Sequence, residues 1–137
     1  MTLTATKPHP IYLAGKWVDS PDTLTVDNPA DPNTPAGSTY NATEAQYEEA
    51  VTAAVAAFEQ TKVLPAYERG RALREISNGI KARREEIGKI LSTEAGKPIR
   101  DALVEVDRAV LTFRLGAEEA ERLYGEKIGR ASCRERV

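Results

Sequence analysis

Two hydrophobic periods divide the chain, with the change at Thr43. Before it, apolar residues fall in short β-prone runs. Ile11-Tyr12-Leu13 and Trp17-Val18 flank a turn at Ala14-Gly15-Lys16, and the run breaks at Asp19-Ser20-Pro21-Asp22, which predicts a short hairpin. Leu24-Thr25-Val26 predicts a further strand, stopped by Asn28-Pro29. Pro29, Pro32 and Pro35 continue as loop to Gly37, and a last strand is predicted at Ser38-Thr39-Tyr40. So few strands close no core of their own, because two-stranded hairpins need something to pack on.

From Thr43 the spacing becomes helical. Thr43-Glu44-Ala45-Gln46 is a capping box, in which the threonine accepts from the N3 amide and the glutamine bonds back. Tyr47, Val51, Ala54 and Phe58 form one stripe beside many alanines, which predicts a core helix. A second helix is predicted from Pro65 to Gly96, with Leu73, Ile76, Ile80, Ile87 and Leu91 on its apolar side. Gly79 and Gly88 each cost it about 1 kcal/mol relative to alanine, so tertiary packing must hold it. Gly96-Lys97-Pro98 reads as a stop followed by a start: Gly96 takes φ > 0 and Pro98 suits the first helical turn. The third helix carries Ile99, Leu103, Val106, Val110, Phe113, Ala117, Ala120 and Tyr124 on one face, a rod of roughly 40 Å closed by Gly125.

Composition narrows the classes. The 137 residues are 41% hydrophobic and 29% charged, which suits globular rather than disordered chain. No apolar run approaches the roughly 20 residues needed to span a bilayer. Residues 1–10 read as a disordered leader without secretory or transit character, so a cytoplasmic location is the default expectation. Nineteen basic and 21 acidic residues alternate along the chain, which disfavours phosphate-tracking contact with nucleic acid. One cysteine and one histidine leave no disulfide framework and no Cys/His zinc cluster within one chain.

The final segment stands apart. Ile128 to Val137, IGRASCRERV, is encoded residue for residue by one frame of a common short-read sequencing adapter, and the adapter's preceding AG closes a lysine codon at Lys127. Residues 127–137 are therefore read as adapter read-through and not native, and are set aside before fold reasoning. Over residues 1–127, without Arg130, Arg134, Arg136 and Glu135, 16 basic and 20 acidic residues remain, a net charge of −4. Cys133, otherwise a candidate low-pKa thiol among arginines, goes with the segment.

Chemistry is sparse in what remains. There is no phosphate-cradling glycine loop of either dinucleotide or P-loop type. His9, between prolines, reads as a solvated tail residue. Arg83 and Arg84 beside Glu85 and Glu86 read as a self-neutralising face. Asp101 and Glu105, four apart on a helix, share a face on which two carboxylates suit a cation, although solvated acids are the plainer reading; Glu105 and Asp107 point apart. No catalytic, cofactor-binding or metal-ligating residue is assigned on this basis.

The order of segments nevertheless resembles the N-terminal region of the aldehyde dehydrogenase superfamily. The opening hairpin from Ile11 to Ser20, the loop Asn28-Pro29-Ala30, the alanine-rich helix ending in Ala57-Phe58, Arg71-Ala72-Leu73 through Ile76, Glu94-Ala95-Gly96-Lys97-Pro98, Glu105-Val106 and Tyr124-Gly125-Glu126 follow one another as in that family. The third helix is most similar to the branch containing lactaldehyde, succinate-semialdehyde and non-phosphorylating glyceraldehyde-3-phosphate dehydrogenases. The chain departs at Asp31-Pro32-Asn33-Thr34-Pro35, which is not the family's short glycine turn, and in lacking a tryptophan after Phe58.

The resemblance implies an α/β parent of which residues 11–126 are the N-terminal part, strands and loops over 11–42 and three long amphipathic helices over 43–126. It also implies NAD- or NADP-dependent oxidation of a small-molecule aldehyde to a carboxylic acid by a homodimer or homotetramer. In that chemistry a cysteine attacks the carbonyl, hydride leaves to nicotinamide, and a glutamate activates the water that hydrolyses the thioester. Those residues lie beyond the equivalent of Glu126, so the chain alone is expected to be inactive. Glu105 matches a position where many relatives place an acid near a structural monovalent cation. A different class of reading is a non-enzymatic helical interaction module, in which the stripe of the third helix seats a partner helix. A parent that kept the fold but lost catalysis is a third.

Overall fold

The computed structural model of the chain describes residues 7–122. Tyr124, Gly125 and the segment 127–137, with Cys133, lie outside the described residues. The described elements are β1 (Ile11–Leu13), β2 (Lys16–Val18), β3 (Asp22–Val26), β4 (Gly37–Asn41), α1 (Glu44–Thr61), α2 (Ala66–Ala82), α3 (Arg84–Ala95) and α4 (Ile99–Arg122).

The predicted hairpin forms, with Ile11 opposite Val18 and Leu13 opposite Lys16, so that Lys16, expected in the turn, is the first residue of β2. Its two turn residues both have positive φ, 47° at Ala14 and 85° at Gly15, as a type I′ turn requires. Glycine takes that conformation freely, whereas alanine brings its Cβ against the following carbonyl. Ala14→Asn relieves this strain, because asparagine tolerates the left-handed region. The expected result is slower hydrogen exchange at the β1 and β2 amides, by about fivefold for ~1 kcal/mol; unchanged exchange refutes the assignment of strain. Tyr12 and Trp17 face each other across the hairpin with ring centroids 5.0 Å apart, a cross-strand aromatic pair.

β3 and β4 make a second antiparallel pair, running from Asp22 opposite Asn41 to Val26 opposite Gly37. The amide of Asn41 donates to Asp22 across it at 2.8 Å. Residues 7–10, read above as part of a disordered leader, are held against this pair: the His9 amide donates to the Ser38 carbonyl at 2.8 Å and the Thr39 hydroxyl donates to the His9 carbonyl at 3.0 Å. His9 thus forms a parallel bridge with Thr39 while its side chain stays exposed. The edge of β4 offers unpaired backbone groups, and the proline-flanked segment satisfies them.

Thr43 caps α1 by the predicted box: its hydroxyl accepts from the Gln46 amide and the Gln46 side chain accepts from the Thr43 amide at 2.9 Å. The Gln46 amide group also donates to the Asp19 carbonyl at 3.2 Å, tying the helix start to the chain after β2. The expectation of a core helix does not hold within this chain, since no α1 residue is buried. The small side chains Ala50, Ala53, Ala54 and Ala57 turn toward the hairpin, lining a groove with Tyr12 and Leu13. Tyr47, Val51, Val55 and Phe58 turn to solvent, each 54% to 69% exposed.

The long second helix is two helices, making four where three were expected. Arg83 leaves the helical region at φ −105°, ψ 21°, its amide shared among the carbonyls of Gly79, Ile80 and Lys81. The apolar spacing runs in phase through the break, which hides it. A straight rod over the 30 residues from Ala66 to Ala95 would run ~45 Å, whereas the two pieces both pack on α4. Breaking at Arg83 keeps both pieces on α4 and brings the end of α3 to the start of α4.

The core lies between α4 and the pair α2–α3. Ala102 and Ala117 are 0% exposed and Val106 is nearly so. The interface is closed by glycines. A Cβ at Gly70 would lie 3.1 Å from the Ala117 carbonyl oxygen and 2.5 Å from a Glu121 carboxylate oxygen; one at Gly88 would lie 2.6 Å from a Leu103 methyl. Gly79 meets nothing within 4 Å, so only Gly88 of the two glycines flagged from sequence serves packing. The Ser77 hydroxyl, buried between the helices, donates to the Val110 carbonyl at 2.8 Å.

Candidate functional site

The motifs that carry the family resemblance meet in space. Asn28 Oδ1 accepts from the Ala30 amide at 3.0 Å, an Asx turn that sets Pro29 facing α3. Gly96 ends α3 in the left-handed region at φ 64°, as the sequence required. A Cβ there would approach the Pro29 ring to 3.1 Å, so glycine is needed both for the turn and for the contact. The Asn-Pro loop therefore rests on the Gly-Lys-Pro break. The Ser92 hydroxyl holds the following residue by donating to the Lys97 carbonyl at 2.6 Å. The Pro98 carbonyl accepts from the Asp101 and Ala102 amides at 2.9 and 3.0 Å, starting α4 one residue after the proline. Beside this junction Thr25, Asp27, Asn28, Pro29, Pro32 and Pro35 line an open cleft of about 470 Å³.

Lys97 Nζ pairs with Glu105 Oε1 at 2.6 Å across the first turns of α4. The hydrogen bond from Lys97, with its charge, holds the Glu105 carboxyl below the ordinary glutamate range against a partial desolvation that pushes it up. Glu105 thus already faces a cation, the lysine ammonium. Asp101 does not join it, pairing instead with Arg100 at 3.2 Å. Among the described residues no group of three or more His, Cys, Asp or Glu side chains is placed to hold a metal ion.

A depressed carboxyl pKa fixes a sign. The pair's contribution is fully present above the unfolded carboxyl's pKa and is lost as pH falls through the lower folded value. The Gly-Lys-Pro junction should therefore loosen only at acidic pH, on the low side of the ordinary glutamate range. In Glu105→Gln that acid-dependent loosening, followed by hydrogen exchange of the Ala95 to Lys97 amides, should be absent. An unchanged pH profile in the variant would falsify the pairing.

The arginine cluster behaves as a structural clamp. Arg83 is bidentate to Glu86 at 2.8 and 2.6 Å, and Arg84 pairs with Glu85 at 2.8 Å, as the self-neutralising reading expected. Arg84 also grips Asp107 on α4 with two hydrogen bonds of 2.6 and 2.7 Å, which holds the Asp107 carboxyl below its usual range. Sequence spacing missed this fork, because residues 23 apart meet only when α3 turns back onto α4. It missed Ser77, Ser92 and Gly70 too; small residues at helical spacing beside the apolar stripe were the available signal.

The α4 stripe is not free to seat a partner helix. Ala102, Val106 and Ala117 are buried in the chain's own core, against α2 and α3. The interaction-module reading loses the surface on which it stood. No helix among the described residues is long and apolar enough to cross a membrane.

The known proteins agree with the motif order. The aldehyde dehydrogenase family model matches residues 17–136, which runs past the boundary expected at residue 126. The 3-sulfolactaldehyde dehydrogenase of Priestia aryabhattai is 35% identical over 127 residues, 93% of this chain and 26% of that protein. Aldehyde dehydrogenase 21 of Physcomitrella patens, solved with its reaction product succinate, superposes with a TM-score of 0.77 at 38% identity, over 88% of this chain and 26% of that one. Betaine aldehyde dehydrogenase of Staphylococcus aureus, solved with NAD+, gives a TM-score of 0.81 at 25% identity, over 93% and 26%. The chain spans about a quarter of the length of these relatives. With the Asn-Pro loop seated on the Gly-Lys-Pro break and the family model covering most of its length, the chain belongs to the aldehyde dehydrogenase family.

Proposed function

We propose that the chain is the N-terminal part of an NAD(P)-dependent enzyme that oxidises a small-molecule aldehyde to a carboxylic acid. The observation that carries this reading is the contact between Pro29 and Gly96, which joins two family motifs far apart in sequence at one junction. Succinate in one solved relative and sulfolactaldehyde in the name of another support a short aldehyde with an anionic far end. NAD+ in the betaine aldehyde dehydrogenase supports a nicotinamide cofactor. On this reading residues 11–126 supply scaffold, and the cofactor-contacting residues lie in the part of the parent that follows. A cytoplasmic homo-oligomer is the accompanying proposal.

Two measurements test this. The 137-residue chain, given NAD+ or NADP+ with lactaldehyde or succinate semialdehyde, is expected to show no reduction of the nicotinamide, because no nucleophilic cysteine and activating glutamate are assigned within it. Turnover by the chain alone would overturn the division of labour. Sequencing the source locus past the codon of Glu126 is expected to reveal a G-x-x-x-x-G segment, a glutamate and a G-Q-x-C cysteine in the same frame. A locus that encodes Ile128 to Val137 and then stops would sink both the enzyme reading and the adapter reading. A locus that continues with the cysteine replaced would leave the fold and remove the activity.

A further inference from the structure

We draw no further inference here: the strongest candidate, the outward apolar face of α1 formed by Tyr47, Val51, Val55 and Phe58, carries nothing because nothing in the structure shows what covers it.

Discussion

Gly70→Val should destabilise the helical part of the chain by about 3 kcal/mol, at the upper end of what overpacking a core costs. Two things set the size. The first added carbon already lies 3.1 Å from a backbone oxygen of α4, which cannot swing aside as a side chain does, and 2.5 Å from the Glu121 carboxylate. That carboxylate is also held by Arg74, so moving it breaks the pair that fastens this part of α4 to α2. Valine then adds two methyls where α2 and α4 already touch. Gly79→Ala is the matched control on the same helix. It meets nothing within 4 Å and should stabilise by about 1 kcal/mol through helix propensity alone. Urea unfolding followed by the helical circular dichroism signal separates them. Equal midpoints for the two variants would show that the helices do not approach at Gly70.

The 137-residue chain by itself should self-associate and bind a hydrophobic-surface dye. Tyr47, Val51, Val55 and Phe58 present one apolar face on α1, and Val104, Leu111 and Leu115 lie exposed on α4, away from its buried face. Soluble monomers seldom show contiguous apolar patches beyond a few hundred Å², and a helix apolar on opposite sides belongs in the interior of a larger protein. The double variant Val51→Glu, Phe58→Glu should shift the chain toward monomer in size-exclusion chromatography with light scattering and cut dye fluorescence several-fold. A chain that is already monomeric, silent to the dye and cooperatively melting would defeat this expectation.

How far the sequence reveals this fold depends on which interactions are local. The hairpin turn, to within one residue at Lys16, the Thr43-Gln46 box and the Gly96 stop were all legible, because each is decided by neighbours within four residues. The break at Arg83 was not legible. It goes with the packing of both α2 and α3 on α4, which periodicity in residues 66–95 does not encode. The exposure of α1 was hidden for a related reason: a stripe of Tyr47, Val51, Ala54 and Phe58 says that a face is to be covered, not by what. The pairing of Arg84 with Asp107 and the docking of His9 on β4 belong to the same class, since each joins positions separated by at least one whole element. At the candidate site the motifs were visible one by one, whereas the contact between Pro29 and Gly96 required the fold.

The loop between β3 and β4 is closed at its neck and held at its tip by its own turns. The Ala36 amide donates to the Val26 carbonyl at 2.8 Å, completing the ladder, and Asn28 and Pro29 are committed to the junction with α3. Beyond the neck, Asp31 organises the tip by itself: its carboxylate accepts from the Asn33 amide and its carbonyl from the Thr34 amide, both at 3.1 Å. These turns are closed by hydrogen bonds within the loop itself. A segment that closes on itself can differ in length and composition at little cost to the rest of the fold, which is how a proline-rich run at 31–35 stands where the family has a short glycine turn, beside an Asn28-Pro29 pair tied to Gly96.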